Sequence, residues 1–247
     1  MGVVVNTNIS SITASRILSE NRADLEKAME RLASGKRINS AADDAAGMAV
    51  AAKMRADIGS LNQSVRNTND AISLVNTYDG AAAEIESILI RMRELAVQTR
   101  NGTYETADRT NANFEYTALK NEITRIAGVS AFNRMTVGQG SSGAAGGTGV
   151  ADTTFTFYVG SDVAKTGNSI AFAAKALDLN LAVSSGTLNS VVDTTSAGQA
   201  IATLDDAITE LAANRAQAGA LINRLEHTVS NLMNVSQRLQ EAVSGIE

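Results

Sequence analysis

The fold of this chain is decided by residues 58–96, which read IGSLNQSVRNTNDAISLVNTYDGAAAEIESILIRMRELA. Their apolar positions recur at alternating steps of three and four, which is the spacing of a coiled-coil seam. The predicted seam consists of Ile58, Leu61, Val65, Thr68, Ile72 and Val75, followed by Tyr78, Ala82, Ile85, Leu89, Met92 and Ala96. The two successive steps of three that end at Tyr78 predict a stammer, a local overwinding of the supercoil.

The pattern around this stretch predicts one long helix over 41–100. Ser40 and Asp43 form the S-x-x-D pattern of a capping box, which marks the start of the helix. Asn101-Gly102 marks a turn beyond its end. The chain contains no proline, so no residue forbids an uninterrupted helix. At ~1.5 Å per residue this helix would be roughly 85–90 Å long, which predicts an elongated rod.

Two further seam-forming helices are predicted nearer to the two ends. The first covers 12–32 and stops at Gly35. The last begins at a capping box between Ser196 and Gln199, and its seam skips at Arg215 before continuing to the end of the chain. We expect the long second helix and the last helix to pack on each other, because a lone helix cannot bury its own seam. The first helix is then left without a partner in this chain. Its seam consists of Ala14, Leu18, Asn21, Leu25, Ala28 and Leu32.

The middle of the chain has a different pattern. A third helix is predicted, with Gly128 as its stop and with one face formed by Ala112, Tyr116, Leu119, Ile123 and Ile126. The Gly-, Ser- and Ala-rich residues 138–149 predict a loop. Residues 154–159 alternate apolar and polar side chains, which is typical of a half-buried strand, and 170–174 supply its partner. The predicted fold class is mainly α: an elongated rod of long coiled-coil-like helices from both termini, with a small β-hairpin and loop insert in the middle.

Composition argues against several classes of function. The chain has no cysteine, which excludes disulfides, thiolate metal sites and cysteine nucleophiles. A single histidine, His227, is too little for a histidine metal cluster. The net charge of −5 includes no basic block, so neither nucleic acid nor an anionic membrane is expected as a partner. Asp43-Asp44 fits acids at a helix start better than a catalytic pair. We therefore expect neither enzymatic activity nor a cofactor.

One candidate contact site lies within the long helix. Arg91 and Leu95 are four residues apart and therefore share one helix face. An Arg–Leu pair on an exposed face could form a contact site for another protein. The same spacing fits equally well with solvated arginines around a single core leucine, so both interpretations stay open.

Several motifs in the chain closely resemble bacterial flagellin. The resemblance covers roughly 4–133 and, more loosely, 159–246. The matching motifs are MERLASGKRINS at 29–40, DDAAG at 43–47, AIS at 71–73 and RMRELAVQ at 91–98.

The resemblance implies a structural subunit that is secreted by the flagellar type III system and self-assembles into the bacterial flagellar filament for motility. It implies as partners other copies of the chain, the filament cap and hook-junction proteins, and an export chaperone. It also implies a division into an inner-tube helix, a rod-shaped helical core and a short variable loop and hairpin region. These parts are 1–40, 41–136 with 196–247, and 137–195, respectively.

The chain departs from the family pattern in two places. Flagellins generally continue beyond the position of Glu247 into a helix that lines the inner tube and binds the export chaperone, so this chain is expected to be shortened there. Arg91 and Leu95 match the positions at which flagellin contacts its innate immune receptor. However, Ile90 stands where the family usually has glutamine, and Ala118 stands where a glutamate is expected.

Two alternative functions remain open from the sequence. A hook–filament junction protein shares the terminal-helix architecture of flagellin. A coiled-coil adhesin or receptor-like rod would belong to a different class. Long homopolymeric filaments in electron micrographs would distinguish flagellin from both.

Overall fold

The computed structural model describes residues 8–138, 153–160, 167–177 and 190–247. In these ranges the prediction of a mainly α fold with long helices and a small β insert is confirmed. The predicted loop at 138–149 lies outside the described residues, except for Gly138. The elements in chain order are α1 (Ile9–Ser34), α2 (Ala45–Arg100), α3 (Thr106–Val129), β1 (Ala131–Phe132), β2 (Met135–Thr136), β3 (Thr153–Tyr158), β4 (Ser169–Ala174) and α4 (Thr194–Ile246).

The chain divides into two compact units. The first unit combines Met1–Ser60 with Asn234–Glu247, and the second unit is Leu61–Met233. Helix α1 belongs to the first unit, whereas α3 and both small sheets belong to the second. The three-part division expected from the resemblance stays a prediction.

The buried face of α2 in the second unit follows an unbroken heptad, so the predicted stammer is wrong. Ser64 and Ala71, which are 4% and 1% exposed, occupy seam positions that the sequence pattern assigned to the larger Val65 and Ile72. Val65 and Ile72 are only partly buried. With this phase the steps of three and four alternate without interruption. The buried residues at these heptad positions are Leu61, Ser64, Thr68, Ala71, Val75, Tyr78, Ala82, Ile85, Leu89, Met92, Ala96 and Thr99, and Leu74 and Leu95 are buried beside them.

The seam of α4 contains no skip at Arg215 either. Asn214, which is 4% exposed, occupies the seam position instead. Arg215 lies beside the seam, where its guanidinium donates to Asp79 at 2.9 Å and also to Glu86, both on α2. The buried seam of α4 in the second unit consists of Ala197, Ala200, Leu204, Ala207, Leu211, Asn214, Ala218, Leu221 and Leu225.

The start of α2 differs from the predicted capping box. Ser40 and Asp43 form a turn, in which the Asp43 backbone N–H donates to the Ser40 carbonyl at 3.0 Å. The helix begins at Ala45, and the side chain of Asp44 accepts a 2.9 Å hydrogen bond from the backbone N–H of Gly47. Asp44 is therefore the residue that caps α2.

The start of α4 also precedes the predicted capping box. The Oδ1 atom of Asp193 accepts hydrogen bonds from the backbone N–H groups of Thr195 at 2.6 Å and Ser196 at 3.0 Å. The Ser196 hydroxyl donates to the other carboxylate oxygen at 2.7 Å. These hydrogen bonds hold the pKa of Asp193 below its usual range, with the Ser196 hydroxyl as the largest cause. Asp193 is therefore the cap, and Ser196 lies within the first turn.

The segment after α3 forms a hairpin that the sequence pattern did not predict. Gly128 lies inside α3, and the predicted stop there is wrong because the helix continues to Val129. Strands β1 and β2 pair antiparallel, with Ala131 opposite Thr136. The two residues between the strands, Asn133 and Arg134, both have positive φ angles, of 49° and 65°. A two-residue hairpin turn of the primed type requires this conformation.

The predicted strand pair is confirmed as β3 and β4, which pair antiparallel with Phe155 opposite Phe172. Phe172 is buried and meets the ring of Tyr78 on α2 edge to face, with ring centroids 5.4 Å apart. The Tyr78 hydroxyl donates to the backbone carbonyl of Lys175 at 3.1 Å. The insert is thus attached to the helical core by an aromatic contact and a hydrogen bond from the same tyrosine.

Candidate contact surfaces

Helix α1 carries an apolar face that none of the described residues covers. No residue of α1 is buried. Leu18, Leu25 and Leu32, which belong to the predicted seam, are 58%, 63% and 83% exposed. Ile17 and Met29 flank the seam, and at about 100° per residue the whole face spans an arc of about 120°. A face of this width normally packs against another element, so it is a candidate contact surface.

The end of α1 is defined by a left-handed glycine. Gly35 has a φ of +68°, and its backbone N–H donates to the carbonyl of Arg31 at 2.9 Å. This is the usual geometry of a glycine that ends a helix. It confirms the predicted stop and places the segment 35–44 as a connector between α1 and α2.

Asp43 holds this connector in place. Its side chain is only 7% exposed and lies 2.8 Å from the ammonium of Lys27 on α1. The backbone N–H groups of Asn39 and Ser40 donate to its Oδ2 atom at 3.3 Å and 3.2 Å. The hydrogen bond from Lys27, followed by that from Ser40, lowers the pKa of the Asp43 carboxyl well below its usual range. The carboxylate therefore ties α1 to the connector.

Asn39 also attaches the connector to the end of α1. Its Nδ2 atom donates to the Ser34 hydroxyl at 2.7 Å and to the Glu30 carbonyl at 3.3 Å. Ile38, next to it, is 6% exposed. The motifs at 29–40 and 43–47 that resemble flagellin thus span the end of α1, the hydrogen-bonded connector and the start of α2. Sequence reasoning found these motifs but did not assign them this role.

Arg91 and Leu95 differ in their exposure to solvent. The Arg91 side chain is 50% exposed and donates to Glu94 at 3.0 Å and to Glu115 on α3 at 3.0 Å. Leu95 is 3% exposed and belongs to the core. The two residues therefore do not form a shared exposed patch, which agrees with the alternative of a core leucine. Their role as contact residues stays a prediction.

Next to Arg91 on α2, and next to its partner Glu115 on α3, the chain exposes apolar residues of which Phe114 was not singled out by the sequence pattern. Phe114 on α3 is 69% exposed, and Ile90 is 46% exposed. Ala118 is exposed one turn after Phe114. No signal in the sequence distinguishes an exposed phenylalanine from a core phenylalanine on a helix with this weak periodicity. Arg93 points elsewhere, as expected, and pairs with Asp205 on α4 at 2.5 Å.

Two other kinds of site were searched for in the described part of the chain. Within residues 8–138, 153–160, 167–177 and 190–247, no group of three or more His, Cys, Asp or Glu side chains could hold a metal ion. Among the helices in those ranges, none is both long enough and apolar enough to cross a bilayer.

Comparisons with known proteins agree with the motifs. The family models described as the bacterial flagellin N-terminal and C-terminal helical regions match residues 5–142 and 201–247. A flagellin of Halalkalibacterium halodurans is 39% identical over 246 residues, which cover 99% of this chain and 85% of that protein. The flagellar filament core protein flaB2 of Brachyspira hyodysenteriae is 39% identical over 233 residues, covering 94% and 81%.

A solved structure shows the same relationship in three dimensions. The crystal structure of Bacillus cereus flagellin matches with a TM-score of 0.55 and 34% identity, and the match covers 68% of this chain and 88% of that one. Sequence motifs, both terminal family models and a solved relative thus agree, and the chain belongs to the bacterial flagellin family.

Proposed function

We propose that the apolar face of α1 is a surface through which this subunit packs on neighbouring subunits. As a flagellin, the chain is a structural subunit of the bacterial flagellar filament, which lies outside the cell. The observation that carries the proposal is that no residue of α1 is buried, although its face includes three leucines. Complete burial of each leucine by a neighbouring subunit would contribute about 1.5–3 kcal/mol to the free energy of association.

The proposal is tested by a polar substitution at the centre of this face. Leu25→Ser, introduced at the gene's own locus, removes apolar surface from a side chain that is 63% exposed. Glu20→Ser is the matched control, because Glu20 lies outside the apolar face, about 140° around the same helix from Leu25, and pairs with exposed Arg16. Filament number and length are measured by negative-stain microscopy. The amount of flagellin in the medium is measured alongside, so that export is distinguished from assembly.

We expect the Leu25→Ser protein to appear in the medium as unassembled subunits, with few or short filaments. The Glu20→Ser strain should form filaments of normal length. Filaments of normal number and length from Leu25→Ser would contradict the proposal, because the face would then not be needed for packing.

We also propose that the exposed surface around Arg91 contacts another protein, either a neighbouring subunit or the innate immune receptor for flagellin. The exposure of Arg91, Ile90 and Phe114 supports this proposal. Arg91→Ala should weaken receptor activation or filament assembly. Arg125→Ala is the control, because Arg125 is an exposed arginine that is likewise paired with a glutamate on its own helix. If the two variants behave equally in both assays, the surface around Arg91 is not a contact site for another protein.

The remaining partners follow from family membership alone. We propose that the filament cap and the hook-junction proteins contact this subunit at the ends of the filament, and that an export chaperone binds it before secretion. Co-purification of each partner with the tagged flagellin from its own cells would test this. Failure to recover the chaperone from the cytoplasmic fraction would contradict the last point.

A further inference from the structure

We propose that Asn101-Gly102 is a site of spontaneous covalent modification, where the asparagine is converted through a succinimide into aspartate and isoaspartate. This dipeptide is the only Asn-Gly pair in the 247 residues. Asn101, Gly102 and Thr103 are all exposed in the turn between α2 and α3. The site is therefore open to water and outside the protection of a helix.

The geometry of the turn favours attack within the dipeptide. The Asn101 Oδ1 atom accepts a 3.4 Å hydrogen bond from the backbone N–H of Thr103, which folds the amide over the Gly102 peptide group. Gly102 has no side chain of its own to obstruct the approach of the Asn101 amide to its nitrogen. The Gly102 N–H makes no hydrogen bond to any described residue. Its nitrogen is thus free to react.

The reaction needs no oxidant or cofactor. The Gly102 backbone nitrogen loses its proton and forms a bond with Cγ of Asn101, while the Cγ–Nδ2 bond breaks and ammonia leaves with that proton. Water then adds to one of the two carbonyl carbons of the succinimide ring. Opening at one C–N bond gives aspartate, and opening at the other gives isoaspartate, with an extra methylene in the main chain. The Thr103 N–H stabilises the negative charge that develops on Oδ1 during the attack.

Another Asn in the chain provides an internal comparison. Asn39 precedes Ser40, which is also a small residue, and it also lies in a connector between helices. Its amide nitrogen, however, is held by Ser34 at 2.7 Å and by the Glu30 carbonyl at 3.3 Å. These hydrogen bonds fix the side chain away from its own main chain. Asn39 should therefore react more slowly than its sequence alone suggests.

The product would place a carboxylate at the C-terminal end of α2. The helix dipole disfavours a negative charge there. Arg109 on α3 offers partial compensation, since its guanidinium donates to the Asn101 carbonyl at 3.3 Å. The Nε atom of Arg109 is buried and has no hydrogen-bond partner among the described residues. We expect modification to strengthen the pairing of residue 101 with Arg109 while lengthening the turn.

The test is ageing of the purified protein at mildly alkaline pH, followed by peptide mapping and enzymatic detection of isoaspartate. We expect the peptide that contains Asn101 to be modified at least several-fold faster than the peptide that contains Asn39, with isoaspartate among the products. Gly102→Ala should slow the reaction several-fold, because the added methyl group hinders the attack. The variant should fold normally, because the methyl group enters open space.

Two results would overturn the proposal. Equal rates at Asn101 and Asn39 would show that the turn does not favour the reaction. Aspartate without isoaspartate, at a rate unchanged by Gly102→Ala, would show direct hydrolysis by water and not ring closure.

Discussion

The same substitution, leucine to alanine, should destabilise the isolated subunit strongly on one predicted seam and hardly at all on another. Leu89 is 0% exposed in the core of the second unit, whereas Leu25 on α1 is 63% exposed. Leu89→Ala removes three buried carbon groups, at about 0.8 kcal/mol each, and leaves a cavity that the surrounding helices fill only in part. The two effects together should cost about 3–4 kcal/mol of unfolding free energy. Leu25→Ala should change it by less than about 0.5 kcal/mol.

The chain supplies its own probe for this measurement. It has no tryptophan and four tyrosines. All four tyrosines lie within Leu61–Met233, the second unit. Tyrosine fluorescence during urea unfolding therefore reports on the second unit, while far-ultraviolet circular dichroism reports on the helices of both. The protein must be kept dilute, so that assembly does not add to the apparent stability.

The expected result is a large shift of the tyrosine transition to lower urea for Leu89→Ala, and almost none for Leu25→Ala. The slopes of the transitions should stay similar, because the folded units still expose comparable surface on unfolding. Equal shifts for the two variants would refute the distinction between a seam buried within the subunit and a seam left open for a neighbour. A shift below about 1 kcal/mol for Leu89→Ala would show that the core assignment is wrong.

Four further changes have defined outcomes. Gly80→Ala should raise the unfolding free energy by about 0.5–1 kcal/mol, because Gly80 is exposed in mid-helix and a Cβ there meets nothing within 4 Å. Gly138→Ala should lower the unfolding free energy by about 1–3 kcal/mol, measured by urea unfolding, because the new Cβ would lie 2.7 Å from the backbone oxygen of Ala127. Tyr116→Phe should be neutral or stabilising in urea, because its buried hydroxyl has no hydrogen-bond partner among the described residues. The pKa of Asp43 is lowered in the folded protein, so the ionised carboxylate should contribute fully to the unfolding free energy above about pH 4 and lose this contribution as the pH falls further. Asp43→Asn should remove this part of the acid dependence of the thermal unfolding temperature.

The periodic pattern predicted which segments are helical and most of the side chains of α2 that face inward, but not all of them. Apolar periodicity located α1, α2 and α4 and the strand pair, because long seams and strict alternation leave few alternatives. The predicted α2 seam was wrong at Val65 and Ile72, because the larger apolar side chain was preferred to its smaller neighbour. Ser64 and Ala71 are buried because a seam between closely packed elements has room for small side chains. Val65 and Ile72 still cover part of the apolar surface from its edge.

Local features were harder to predict than the long helices. Asp44 and Asp193 cap α2 and α4, yet both compete with nearby sequences that look like better capping boxes. The β1–β2 turn was not predicted because Arg134, which has a positive φ, is not a residue type typical of such turns. At the candidate contact surfaces, the exposed face of α1 was expected from its lack of a partner. The burial of Leu95 beside an exposed Arg91 depends on packing that spacing alone does not determine.

The unbroken alternation of three and four along α2 limits how this helix can change in length. Inserting one residue between 61 and 99 would rotate every later side chain by about 100° around the helix axis. For an insertion before residue 71, the buried places of Ala71, Ile85 and Met92 would then be taken by the charged residues that precede them, which are Asp70, Glu84 and Arg91. An insertion or deletion of seven residues restores the same face within about 20°. A change of one residue in this stretch should therefore be disfavoured, whereas a change of one heptad keeps the buried face if an equal change occurs in the facing part of α4.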